Sequence, residues 1–173
     1  MRIALLLSQR GHKVSLYERN PELGGQWKTA CATQAKKDYV SLTEHLQRCL
    51  HKEGVLVTTG VEVTKDMVLG KRPDAVVVAT GAYPAGLNVS GATGPNVVQG
   101  HDVIAGRAVV KGKAVVVGGR FIGMEVAISL AEQGRRVSLV TQAGLGQNGI
   151  KLEPMTYKAL ARMLIELHIP LYL

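Results

Sequence analysis

Apolar residues recur along this chain with two periods, one helical and one strand-like, and the two alternate. Lys113 to Val117 is a short valine-rich run that predicts a strand buried on both faces. Met124 to Gln133 then carries apolar residues at helical spacing, Gly134 supplies a stop, and Arg136 to Val140 predicts a second strand. Nearer the start, Met1 to Gln9 reads as a helix, Gly11 as its stop, and Lys13 to Glu18 as a strand ending in an acid. Tyr39, Val40, Leu42, Leu46, Cys49 and Leu50 suit one face of a helix from Lys37 to Glu53. Gly54 closes it, Val55 to Thr58 is a strand, Glu62-Val63-Thr64 continues the pattern, and Thr64 caps a short helix whose first apolar contact is Met67. Asp74 to Ala79 predicts another apolar strand with a turn at Thr80-Gly81. His101 to Ile104 begins a short helix. Glu153 to Leu167 is helical, burying Tyr157, Leu160, Met163, Leu164 and Leu167, and His168 to Leu173 starts a last strand.

The plan repeats itself. Ser8-Gln9-Arg10-Gly11-His12-Lys13-Val14-Ser15-Leu16 parallels Ala131-Glu132-Gln133-Gly134-Arg135-Arg136-Val137-Ser138-Leu139. The fold class implied is α/β, two Rossmann-like units with parallel sheets, divided in the Gly- and Pro-rich stretch Tyr83 to Gly100. The domains expected are residues 1–100, including this crossing linker, and residues 101–173. In the later unit a strand and a glycine turn precede the helix. In the earlier one the sequence opens inside the helix, so the expectation is a fragment that lacks the first strand and its turn and is cut short at the other end as well.

The chemistry concentrates in Gly118-Gly119-Arg120-Phe121-Ile122-Gly123, between strand and helix. Such a turn presents backbone N–H groups and the positive end of a helix to a pyrophosphate. Of the pattern G-x-G-x-x-G, Gly118 and Gly123 are the first and third glycines, while Arg120 holds the middle place. Its side chain crowds the phosphates or binds one through its guanidinium. Where an acid would take a ribose 2′-hydroxyl, about 20 residues on, stand Thr141 and Gln142. The loop Ala143 to Gly149 that follows is a candidate cover for the nucleotide's 2′ position, and its three glycines signal mobility first. A glycine-rich packing turn with no ligand is the plain alternative for 118–123.

Composition narrows the classes. With 173 residues, 46% of them hydrophobic, the chain is globular in character. No apolar run reaches the ~18 residues of a membrane span. Cys31 and Cys49 are not in C-x-x-C spacing, so a metal site or redox dithiol is not indicated, and a reduced cytoplasmic setting is expected. His45 and His51 do not share a helical face and make no metal pair. A net charge of +8 invites nucleic acid, but scattered cations and 4% aromatics favour anionic nucleotides instead.

Leu16-Tyr17-Glu18 with Leu23-Gly24-Gly25-Gln26, then 73–82 (PDAVVVATGA), then Gly94-Pro95-Asn96-Val97-Val98 and the Lys113 unit together resemble the flavoproteins built from two dinucleotide domains. More narrowly the chain resembles the C-terminal part of the NADH:flavin oxidoreductases that join an old-yellow-enzyme barrel to such a module, the 2,4-dienoyl-CoA reductase, trimethylamine dehydrogenase and enoate reductase group. The resemblance implies FAD and NAD(P)H as cofactors and a barrel, absent from this sequence, as partner. It places the adenosine ribose of FAD on Glu18, beside Arg19, the flavin phosphates and ribityl chain near Gly24, Gly25 and Gln26, and the adenine along the backbone of Val63; the plain alternatives are a solvated strand-end glutamate at 18 and a core strand residue at 63. Ala79, Thr80 and Gly81 would lie beside the cofactor, and Gly118 to Gly123 with Thr141 and Gln142 would hold NAD(P)H. A carboxylate at the end of a second strand suits ribose independently of the resemblance, since it accepts from both hydroxyls.

No Ser-His-Asp set, carboxylate pair or metal cluster emerges, so catalytic residues are not assigned. Three readings stand: a nucleotide-binding fragment of a flavin-dependent NAD(P)H oxidoreductase, inactive alone; a non-catalytic ADP- or NAD(P)-binding domain; and a basic surface contacting nucleic acid or protein. An uncovered sheet face implies a homodimer or marginal stability.

Overall fold

The computed structural model describes residues 1–142, 145 and 154–173. These form two compact units, Met1–Tyr83 and Pro84–Leu173. The division falls at the start of the Gly- and Pro-rich stretch.

In the first unit α1 (Arg2–Gln9) leads through Gly11 to β1 (Ser15–Glu18), then α2 (Gly25–Ala30), a 3-10 turn (Gln34–Val40), α3 (Ser41–Lys52), β2 (Leu56–Thr59) and α4 (Lys65–Lys71). The strands β1 and β2 run parallel, Ser15 opposite Leu56 and Glu18 opposite Thr59. Parallel neighbours need a crossover, and α3 supplies it. Its Leu46 and Leu50 meet Ala4 and Leu5 of α1 together with Leu23 and Val55, which form the core of this unit. Thr64 caps α4 by accepting from the Met67 amide at 3.3 Å, as its sequence position predicts.

The predicted helix from Lys37 to Glu53 is in fact two elements. Its first part is a 3-10 turn, in which Tyr39 is 59% exposed; in α3 itself Leu42 is 46% exposed, and the buried stripe is Thr43, Leu46 and Leu50. The turn tightens the winding, which rotates earlier residues off the face that a continuous α-helix would have buried. Asp74 to Ala79 is likewise no strand: it has no regular secondary structure, pairs with no strand among the described residues, and leaves Val76, Val77 and Val78 exposed. Valine preference for strands becomes structure only where a neighbouring ladder and a buried face exist, and here it has neither. Glu62 to Thr64 is also outside any strand, again without a partner.

The second unit has α5 (Gly100–Ile104), β3 (Lys113–Val117), α6 (Phe121–Glu132), β4 (Arg136–Val140), α7 (Pro154–Glu166) and β5 (Leu171–Tyr172). Its sheet is parallel in the order β3-β4-β5, with Lys113 opposite Arg136 and Leu139 opposite Leu171. The core sits between sheet and helices. Met124, Ala127 and Leu139 are fully buried, with Val126, Ile128, Leu130, Val137 and Leu164 around them, and Tyr157, Leu160, Met163 and Leu167 pack onto the cluster. That is the face predicted for α7. Residue 153, where the prediction began, lies outside the described residues.

Two expectations change here. The strand β3 is covered on one side only: Ala114 and Val116 pack on the core, whereas Val115 and Val117 are 66% and 55% exposed. Helices cover one face of this sheet and none of the described elements covers the other, so a run of valines overstated burial. Phe121, Ile122 and Gly123, read as turn, are already the first residues of α6.

Helix ends explain the repeat seen in the sequence. At α1, α3 and α6 the residue in the left-handed region is Gly11, Gly54 or Gly134, and the next residue's N–H returns to the carbonyl five back: His12 to Leu7, Val55 to Leu50, Arg135 to Leu130. Such a cap occupies carbonyls the helix leaves open and turns the chain back into the next strand.

Candidate functional site

The best-formed site is the crossing from β3 into α6. The Gly118 N–H donates to the Val140 carbonyl at 2.8 Å, so the turn springs from the sheet at the level where β4 ends. Gly118 has φ 120°, a conformation that favours glycine. Gly119 is buried against Thr141, and a Cβ there would lie 2.8 Å from that side chain. A Cβ on Gly123 would lie 1.8 Å from the Gly118 carbonyl oxygen, so the first turn of the helix rests directly on the strand end. This is the close helix-to-strand contact that the third glycine of the fingerprint provides.

Arg120, in the middle place, is exposed and extended, with φ −94° and ψ 178°, a backbone that any residue adopts. It stands at the N-cap of α6 but its side chain caps nothing. The first N–H groups of a helix have no intrahelical acceptor, and no acidic residue lies in the first turn of α6 to serve them. Open donors, a helix dipole and no competing carboxylate make this a place for an anion. Thr141 is buried, Gln142 exposed. The loop expected over the 2′ position, 143–149, lies outside the described residues apart from Leu145.

In the first unit Glu18 ends β1. Its Oε1 accepts from the Asn20 backbone N–H at 3.0 Å and from Asn20 Nδ2 at 2.8 Å, while Oε2 takes none of the described hydrogen bonds. The start of α1 is within electrostatic reach: burial pushes the Met1 α-amino group down, and the Glu18 charge opposes that shift. Gly24 (φ 123°) and Gly25 (φ 46°) make the turn into α2. Gln26 Nε2 from that turn donates to the Ala82 carbonyl, next to Gly81, and Arg19 donates to the Tyr83 hydroxyl with its guanidinium 5.2 Å from the ring centre. The hydroxyl contact keeps the Arg19 pKa above its ordinary value. Glu18, Arg19, Gln26 and Gly81 are thus brought to one end of this unit, with Ala79 and Thr80 in the irregular stretch that leads there. Val63 stands apart from these contacts, 43% exposed. Sequence reasoning missed Asn20, Ala82 and Tyr83. An Asx-type turn after an acid at a strand end is a readable signal for the first; a carbonyl and a remote tyrosine carry none.

A separate cleft of about 780 Å³ runs between α3 and β2, lined by Leu23, Lys28, Thr43, Glu44, Gln47, His51 and Val57 among others. None of the predicted nucleotide residues lines it. On the same helix His45 Nε2 and Cys49 Sγ are 3.5 Å apart. Among the described residues no group of three His, Cys, Asp or Glu side chains is placed to hold a metal ion, and no helix is long and apolar enough to cross a membrane.

Two parallel sheets, a strand-glycine-helix crossing and an acid at the end of β1 define a dinucleotide-binding α/β protein. Residues 1–170 match the family model described as pyridine nucleotide-disulphide oxidoreductase, and the chain belongs to that family. It is 34% identical over 160 residues to an NADH oxidase of Thermoanaerobacter brockii, a match covering 90% of this chain and 24% of the relative. It is 33% identical over 140 residues to a cinnamate reductase of Clostridium sporogenes, covering 81% of this chain and 21% of that protein. The chain therefore spans about a quarter or less of these relatives' length. Among solved structures its fold is similar to 2-naphthoyl-CoA reductase, with TM-score 0.86 at 24% identity over 97% of this chain and 25% of the other. A histamine dehydrogenase from Rhizobium gives TM-score 0.78 at 22% identity, over 98% of this chain and 26% of that one. The fold class read from the sequence is borne out, and so is the resemblance to the nucleotide module of the NADH:flavin oxidoreductases.

Proposed function

We propose that this chain is the nucleotide-binding module of a flavin-dependent NAD(P)H oxidoreductase. The observation that carries the reading is the β3-turn-α6 crossing, in which Gly123 rests on the Gly118 carbonyl and leaves the helix N-terminus open toward the end of β4. Gly118 to Gly123 would hold the pyrophosphate of NAD(P)H through backbone N–H groups, and Thr141 and Gln142 would flank its ribose. In the first unit the Glu18 Oε2 would accept from the ribose of FAD, with Gly24, Gly25 and Gln26 beside its phosphates and ribityl chain. Asn20 fixes the rotamer of Glu18 through Oε1, and the Gln26 bond to Ala82 holds the glycine turn against the Thr80-Gly81 segment. When bound, nicotinamide would supply a hydride and flavin would accept it; this chain's residues would hold each nucleotide. The whole protein would add an old-yellow-enzyme-like barrel and act in the cytoplasm.

The test is calorimetric titration of the chain with FAD, NADH and NADPH, alongside an Ile122→Glu variant. Ile122 is exposed in the first turn of α6. A carboxylate there favours the helix dipole but repels phosphate, so the variant should keep its melting temperature and lose pyridine-nucleotide affinity about tenfold or more. Equal affinity in the two proteins, or no pyridine-nucleotide binding by either, would refute the reading.

A further inference from the structure

Nucleotide-binding turns of this kind read the adenosine ribose at the end of the second strand, where an acid selects a free 2′-hydroxyl and repels a 2′-phosphate. In this chain that place carries no acid. Thr141 is 5% exposed and packed against Gly119, and Gln142 is neutral. The first turn of α6 adds no negative charge. Arg120 follows Gly119 directly, and since Gly119 packs against Thr141, the Arg120 backbone lies one residue from that contact at the end of β4. It is exposed and takes part in none of the ion pairs among the described residues.

Arg120 replaces the middle glycine of the fingerprint without backbone strain, since its φ of −94° and ψ of 178° need no glycine. The position in the turn at which a side chain would run into main chain is Gly123. A guanidinium with no ion-pair partner among the described residues, planar and permanently charged, near a strand end whose described residues carry no carboxylate is suited to bidentate contact with a phosphate. We propose that Arg120 recognises the 2′-phosphate of the adenosine ribose, so that the pyridine nucleotide of this site is NADPH rather than NADH. The proposal rests on the assignment of the 118–123 turn to a pyridine nucleotide and specifies which one.

A charge-assisted contact of this type corresponds to roughly a ten- to hundredfold difference in dissociation constant. NADPH and NADH are titrated separately into the full chain and into Arg120→Gln and Arg120→Lys variants at fixed salt. The expected result is a preference for NADPH of that size in the parent chain, its collapse toward unity in R120Q and partial retention in R120K. Equal affinity of the parent for both nucleotides overturns the proposal and leaves the turn a pyridine-nucleotide site. So does a R120Q variant that weakens both alike, since the arginine would then serve the shared pyrophosphate or the fold. Failure of both nucleotides to bind the parent refutes the assignment of the turn, and this proposal with it.

Discussion

Gly123 rests on the backbone of Gly118: a Cβ at position 123 would stand 1.8 Å from the carbonyl oxygen of 118, far inside van der Waals contact. The offending atom is main chain and cannot swing away, so even the smallest side chain must push α6 off β3. Gly123→Ala is predicted to cost about 1–3 kcal/mol or more, the usual range for overpacking. Chemical unfolding followed by circular dichroism measures it. A change below about 0.5 kcal/mol would mean that helix and strand separate easily and that this contact does not fix the site.

At the end of α7 a fourth cap repeats the hydrogen bonding of the first three, His168 N–H to Ile165 and Ile169 N–H to Leu164, but the left-handed residue is His168, φ 51°, where the others have glycine. The left-handed conformation costs a residue with a Cβ roughly 1–2 kcal/mol, part of which glycine gives back as unfolded-state entropy. His168→Gly should therefore raise stability by up to about 1 kcal/mol, and Gly134→Ala should lower it by a similar amount. Thermal melts of the two variants check the pair. Destabilisation by H168G would show that the imidazole makes a contact worth more than the backbone strain.

The Lys28 ammonium beside Glu22 holds that carboxyl below its ordinary pKa of 4.5. A depressed folded-state pKa means a stabilising contribution present above the unfolded value and lost as pH falls through the folded one. Both side chains are exposed, so salt should erase most of the effect. Carboxyl chemical shifts of Glu22 followed from pH 7 downward should show a midpoint below the ordinary value. That midpoint should return to normal in Lys28→Met or in about 1 M salt. A midpoint unaffected by K28M would assign the shift to something other than the pair.

Much of this architecture is local and so was legible. The glycine stops at 11, 54 and 134 fall where the periodic helices end, and the spacing of Gly118 and Gly123 marks a crossing whose geometry is set by residues close in sequence. What failed depended on distant partners. Valines at 76–78 and 115–117 state a preference for strand but not whether another strand or helix lies alongside. Contacts such as Gln26 to Ala82 and Arg19 to Tyr83 join residues more than 50 positions apart and leave no periodic trace. The left-handed His168 was invisible for the opposite reason, since its neighbours force a backbone that its own side chain disfavours.

The bare side of β3 suggests a homodimer formed over Val115 and Val117. Sedimentation equilibrium should show self-association that weakens in a Val115→Lys, Val117→Thr double variant without loss of helical signal. A parent chain that stays monomeric across the accessible concentration range would dispose of the idea.

The stretch from Asp74 to Ala82 has a further consequence in time rather than in energy. Its amides make no backbone hydrogen bonds among those described, although Gln26 and Tyr83 pin its far end. Amide protons there should exchange with solvent at nearly the rate of an unfolded peptide while those of β1 and β4 persist, and a protease should cut there first. The path toward the second unit would then work as the molecule's fast clock, relaxing long before either core has opened.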